Sequence, residues 1–439
     1  MFKNIWTHGK NRVGLFIILI TGIVFPEWGL ASHTMSYRAV QDTLQFRQYS
    51  GSVVDARSGE PLVFAVLQVE GSNISSITNT EGEFLLKVPK SENATSISVY
   101  FLGYQEKQIS IATLKPEKNE IELEPSAIEL TEVDVSIPKD PEDLVRKVFE
   151  KRKNNYVGEG MIMTAFYRET IRKRRRNVSL SEAVVNVYKQ PYANARPDQV
   201  KLFKSRKSTD YSRLDTLALK LQGGPFSTLY VDIMKYPEFI FQGELIDEYE
   251  FAFERSTTVN NQPVFVIRFN QKDWVEAPRY YGTLYINSNT QALVSAVFKL
   301  NLENLAEASR MFVKRKPSSV RVWPTEAAYR VDYRQTGGKW YYGYSNVQLA
   351  FKVNWRNKLF NSLFTLSSEM AVTDWEKNTE GLTLPVNERL RPSVVLSDEA
   401  SGFSDPDFWG DYNVIEPEKS IESAINKIKR KLRKNKDTK

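Results

Sequence analysis

Cysteine is absent from the 439 residues, and histidine occurs only twice, at His8 and His33. Without thiols the fold has no disulfides and no thiol chemistry, so its core alone must hold it. Without histidine beyond residue 33, a zinc peptidase centre, a Ser–His–Asp triad and a Cys–His pair cannot be assembled in the folded body. Long apolar runs are scarce too. Val13–Phe25, "VGLFIILITGIVF", is uncharged, follows Lys3, Lys10 and Arg12, and precedes the small residues Gly29, Ala31 and Ser32. It is too short to span a bilayer comfortably and has the flanks of an export signal, read here as residues 1–31 with cleavage near Ala31. No Cys follows it, which excludes lipid attachment at that point.

A basic body is also missing, despite a formal charge of +7. Residues 1–31 carry a net +2 and the tail Lys427–Lys439 a net +7, which leaves the remainder at about −2. The positive balance reports a leader and a tail rather than a binding face, and a nucleic-acid partner is not expected.

What the chain has in quantity is alternation. From Tyr49 to Val135 short strand patterns ("SGSVVDA", "LVFAVLQVEG", "EFLLKVP", "TSISVYFLGY", "NEIELEP", "LTEVDVS") are separated by turn residues. Gly82 stands where a tight turn wants positive φ. Asp140 and Pro141 open a helix over "PEDLVRKVFEKRKNN", with Leu144, Val145, Val148 and Phe149 on one face. Longer alternating strands follow, from "MIMTAFYRETI" and "VSLSEAVVNVYK" through "EYEFAFERST", "QPVFVIRFNQ" and "RYYGTLYINSNTQALVSAVFKLNL" to "EAAYRVDYRQTGGKWYYGYSNVQLAFKV" and "FTLSSEMAVTDW". Asn287-Ser288-Asn289 and Thr336-Gly337-Gly338 mark hairpins. The fold class expected is mainly β, an N-terminal β-sandwich plus a larger antiparallel sheet domain with few helices. The segments are 1–31 (signal), 32–47 (linker), 48–136 (sandwich), 137–155 (linker and helix), 156–376 (large β domain), 377–416 (loops) and 417–439 (basic helix or tail).

The run "GSVVDARSGEPLVFAVLQVEGSNISSITNTEGEFLLKVP…ISVYFLGYQEKQI…IELEPSAIELTEVDV" resembles the carboxypeptidase-regulatory-like domain, a transthyretin-like sandwich of exported proteins in Gram-negative envelopes. The resemblance implies an accessory module, not an activity. The blocks "AFYRETI…SLSEAVVNVYK" and "FWGDYNVIEPEKSIESAI" are similar to those of a poorly characterised exported group with the same module. "YYGTLYINSNTQALVSAVFKLN" is similar to the hairpin of lipoprotein-carrier folds, which implies a curved sheet around an apolar cavity.

Few side chains remain as site candidates. Ser136 and Lys139 have S-x-x-K spacing, but Pro138 between them prevents the helical turn that pairing needs. Among 53 acidic residues no spacing selects a catalytic carboxylate pair. Asp405, Asp407 and Asp411 offer oxygen ligands to one Ca²⁺, without EF-hand spacing; the alternative is a loop anchored by Phe408, Trp409 and Tyr412. Arg172, Lys173, Arg174, Arg175 and Arg176 form a basic hairpin turn, with a membrane- or anion-contacting patch that faces phosphate or lipopolysaccharide as the alternative. Lys429, Arg430, Lys431, Arg433 and Lys434 lie opposite an apolar face in the tail, the pattern of a helix on anionic lipid or lipopolysaccharide. These readings point to a non-enzymatic envelope protein on the periplasmic or outer-membrane side, binding a protein or peptide partner and using no cofactor. Carriage of a lipid or lipopeptide is the alternative, and a carboxylate-based hydrolase the third reading.

Overall fold

The period-2 patterns become strands, and the two faces of the largest sheet set the architecture. The computed structural model describes residues 46–126, 139–174, 176–209, 223–241, 243–259, 261–312, 318–356, 359–402 and 408–417. The expected signal, the strand "LTEVDVS", Arg175, Asp405, Asp407 and the tail with Lys429, Arg430, Lys431, Arg433 and Lys434 lie outside these residues.

The N-terminal module is a sandwich of two small sheets. β1 (Phe46–Asp55), β4 (Glu83–Pro89) and β7 (Asn119–Leu123) form one, in the order β4-β1-β7. β2 (Val66–Val69), β3 (Ser75–Ile77), β5 (Ser96–Tyr100) and β6 (Lys107–Ser110) form the other, in the order β3-β2-β5-β6. Inward residues of both sheets, among them Val53, Leu67, Phe84, Leu86, Val99 and Leu123, are fully buried between them. Gly82 has φ +72° at the turn into β4, where a Cβ would come within 2.7 Å of Pro61.

Helix α1 (Pro141–Glu150) starts as its sequence dictates. The Asp140 carboxylate accepts from the Asp143 amide at 3.0 Å, and Pro141 occupies the first turn. A short α2 (Arg152–Asn155) follows, so the helical stretch is broken at Lys151 rather than continuous.

The remaining strands make one eleven-stranded sheet. They are β8 (Met161–Lys173), β9 (Arg176–Lys189), β10 (Gln199–Thr209), β11 (Tyr249–Val259), β12 (Gln262–Gln271), β13 (Tyr280–Asn287), β14 (Leu293–Leu300), β15 (Val320–Thr336), β16 (Lys339–Trp355), β17 (Ser362–Lys377) and β18 (Ser401–Gly402). The order is β11-β12-β13-β14-β15-β16-β17-β8-β9-β10-β18. Pairing is antiparallel except at β10 with β18, and in the sandwich at β1 with β7, where the strands run parallel. β10 carries Lys201, Lys204, Arg206 and Lys207 and a bulge between Leu202 and Lys204; both break the alternation that identifies its neighbours in sequence.

The inner face of this sheet is filled. Tyr156, Tyr167, Tyr192, Tyr249, Tyr342 and Phe269 are all essentially solvent-free there, beneath α1, α3 (Pro225–Leu229) and the segments 231–241 and 243–246. α4 (Leu305–Phe312) closes the same face further along, with Phe312 edge-on to Phe351 at 5.9 Å. The short α5 (Leu396–Glu399) lies beside β9 and β10.

Candidate functional site

The outer face of the sheet is where the sandwich sits, and the seam is built from far-separated residues. β3 lies against β17 at a bulge between Val372 and Asp374. The Val372 carbonyl there accepts from Ser75 Oγ at 3.2 Å and from Arg334 Nη1 at 2.9 Å. Asn73 Nδ2 donates to the Trp375 carbonyl at 2.8 Å. Phe64, held at φ +67°, brings its ring to 4.9 Å from Tyr344 and beneath the Arg330 guanidinium. A left-handed backbone is unusual for so bulky a residue, and here the seam contacts of the ring hold it.

A C-terminal strap, Phe408–Pro417, is threaded into the same seam. Trp409 is edge-on to Phe166 at 5.4 Å and lies 4.7 Å from the Arg206 guanidinium. Asn413 pairs with the outer edge of β4: its Oδ1 accepts from the Lys87 amide at 2.7 Å and its Nδ2 donates to the Lys87 carbonyl at 3.0 Å. The loop is therefore anchored by Phe408, Trp409 and Tyr412, the aromatic residues its sequence singles out. Asp411 lies partly buried beside them.

Below the strap is a buried ionic network. Glu182, with no solvent exposure, accepts from Arg168 Nε at 2.8 Å and from Arg206 Nε at 2.9 Å. Arg168 also reaches Glu369 at 3.3 Å and donates to the Ile415 carbonyl at 2.6 Å, so the network binds the strap as well. Each charge has a partner, as burial requires.

A second network lies on the inner face. Lys189 Nζ contacts Asp198 and Asp232, each at 2.7 Å. Tyr236 donates to Asp198 at 2.9 Å, and Tyr333 and Tyr192 donate to Asp232 at 2.9 and 3.1 Å. Burial opposes the Lys189 charge, but the two carboxylates outweigh it and hold the amine above its ordinary value. Burial lowers the neighbouring Lys235 to about 8. The signal for this cluster is present in sequence: Val185, Val187 and Lys189 share one face of β9, and a lysine on an apolar face needs a carboxylate. Its partners lie in irregular segments that no periodicity locates.

An open feature of the outer face is a groove of about 900 Å³ beyond the sandwich. Gln271, Tyr281, Lys299, Asn301, Glu326 and Leu363 are among the residues that line it, and Lys299 pairs with Glu326 at 3.1 Å across it. Of the basic turn, Arg174 (φ +56°) and Arg176 are exposed at the β8–β9 tip, while Arg172 bends back to Asn177 at 2.8 Å. Among the described residues no three His, Asp or Glu side chains are placed to hold a metal, and no helix is long and apolar enough to cross a membrane.

Comparison with known families assigns the sandwich. Residues 49–135 match the family model of the CarboxypepD_reg-like domain. That domain covers the sandwich; the large sheet lies outside the match. Comparison with curated proteins found no match. Among solved structures, a DUF1329 family protein from Desulfovibrio piger is similar at 10% identity and a TM-score of 0.22, over 56% of this chain and 95% of that one. Lipovitellin, from a structure titled for its lipid–protein interactions, is similar at 8% identity and a TM-score of 0.24, over 53% of this chain and 27% of that one. Likenesses this slight carry no argument about the large sheet.

Proposed function

We propose that this is a non-enzymatic binding or assembly protein of the cell envelope, exported and acting on the periplasmic side of the outer membrane. The observation that carries the reading is the division of the outer face. One part is covered by the CarboxypepD_reg-like sandwich and its strap, and another part carries the open groove. Tyr281 and the Lys299–Glu326 pair offer hydrogen-bonding groups to a polar peptide segment, while the amides of Gln271 and Asn301 are held by bonds within the chain and shape the wall. Edge-strand docking on the sandwich falls to β6, whose residues are largely exposed; the edge of β4 is taken by Asn413. Meanwhile Lys189, Asp198, Asp232 and Glu182 are consumed by closed networks, which leaves them poor candidates for acid–base work.

A photo-crosslinking residue at Tyr281, introduced in cells, tests this reading. We expect a defined adduct with an envelope protein or peptide there, and none from the same residue at Val386. Absence of any adduct counts against the groove. Hydrolysis by the purified protein, abolished by one acidic substitution, overturns the non-enzymatic reading. The alternative, carriage of a lipid or lipopeptide under the sheet, requires the inner-face aromatics to move apart. Stoichiometric lipid in an organic extract of the protein supports that alternative.

A further inference from the structure

One end of the large sheet has a composition that no feature described so far accounts for. Three strand-end segments meet there. The β8–β9 tip adjoins β17, because the Arg174 amide donates to the Leu363 carbonyl at 2.8 Å and Lys173 is in register with Phe364. The β16–β17 connection lies beside it, with Val353 opposite Ser362. The start of β15 is next, with Val320 opposite Trp355 and the Arg356 amide donating to the Ser319 carbonyl at 3.0 Å.

These segments contain no acid. There is no Asp or Glu at 170–181, at 308–325 or at 351–368, although each stretch carries several Lys or Arg. Arg174, Arg176, Arg321, Lys352 and Arg356 are exposed. Among the described residues, Arg174, Arg176 and Arg356 make no ion pair. Between them stand two large apolar side chains, Leu359 at 95% and Phe360 at 78% exposure. An apolar pair at a strand-end tip, ringed by unneutralised cations, is unfavourable in water. It is complementary to a surface that is anionic outside and apolar just beneath.

We propose that this end of the sheet docks on an anionic phospholipid bilayer, with Leu359 and Phe360 entering the boundary between headgroups and acyl chains and Arg174, Arg176 and Arg356 meeting the phosphates. The charge pattern selects a lipid surface over an apolar protein face: a protein partner would need an unbroken acidic rim, whereas anionic headgroups supply one continuously. The docking does not depend on what the groove binds.

The absence of cysteine makes the test clean. Leu359→Cys in the full chain, labelled with an environment-sensitive fluorophore, places one probe at the tip; Val386→Cys, 80% exposed beside the start of β10 at the opposite end, is the control. With vesicles of phosphatidylcholine and phosphatidylglycerol we expect a blue shift at 359, none at 386, and none for either probe with phosphatidylcholine alone. Added salt weakens the shift. In the otherwise native chain, Phe360→Ser lowers vesicle binding by roughly tenfold or more, and Arg174→Glu with Arg356→Glu lowers it by about tenfold or more. Three outcomes overturn the proposal. One is no vesicle binding. A second is an equal shift on neutral vesicles. The third is co-sedimentation with an unshifted probe at 359, which assigns the contact to another part of the chain such as the basic tail.

Discussion

At the scale of single residues, the molecule is most informative where a charge is buried. Burial, helped by the negative field of Asp398, pushes Glu169 up to about 7 against an accepted bond of 3.0 Å from Tyr167. In the unfolded chain this carboxyl loses its proton near the ordinary 4.5, whereas the fold retains the proton until about 7. Its contribution to stability is therefore complete below 4.5 and declines as pH rises through that window, by about 3 kcal/mol in all. Urea denaturation of the protein and of Glu169→Gln at pH 5 and pH 8 checks this: the variant loses less stability between the two. Lys189 stabilises as a buried cation. Its removal leaves Asp198 and Asp232 buried without a cation, so Lys189→Met destabilises by roughly 3–5 kcal/mol. Adding Asp198→Asn costs less than the sum of the separate effects, since the two groups share one network. Strict additivity in the double-mutant cycle refutes the coupling.

At the scale of elements, what is legible in sequence is whatever repeats. β8, β9 and β11–β17 announce themselves because Val, Ile, Tyr and Phe alternate with polar residues and the turns are marked by Asn and Gly. β10 does not. Its lysines and arginines look like solvated charge, yet Lys204 donates to the Phe408 carbonyl at 3.2 Å and Arg206 meets the buried Glu182. The seam is illegible for a related reason: Ser75 finds its acceptor 297 residues away, and no local pattern encodes such a distance. The aromatic loop Phe408–Tyr412 was readable as an anchor, though not as a clamp on β4. Asn413 makes that clamp testable. Asn413→Ala removes both bonds to the β4 edge, at about 1–3 kcal/mol. It also exposes an unpaired strand. Sedimentation velocity then shows concentration-dependent self-association that the native chain lacks.

At the scale of the whole molecule, the described residues form a single unit, because the sandwich, the large sheet and the strap share the seam. Calorimetry accordingly gives one unfolding transition, with β3 and β17 losing amide protection together in hydrogen exchange. Two resolved transitions, with the sandwich melting apart from the sheet, count against a shared seam. The link between β4 and Asn413 also has a consequence for the order of events during synthesis. Lys87 and Asn413 are 326 residues apart, so a ribosome completes the sandwich long before its seal is translated. Throughout that interval the newborn sandwich has a bare strand edge. Any factor that escorts this chain has its work set by that delay, and a chain interrupted before residue 413 keeps the sticky edge for good.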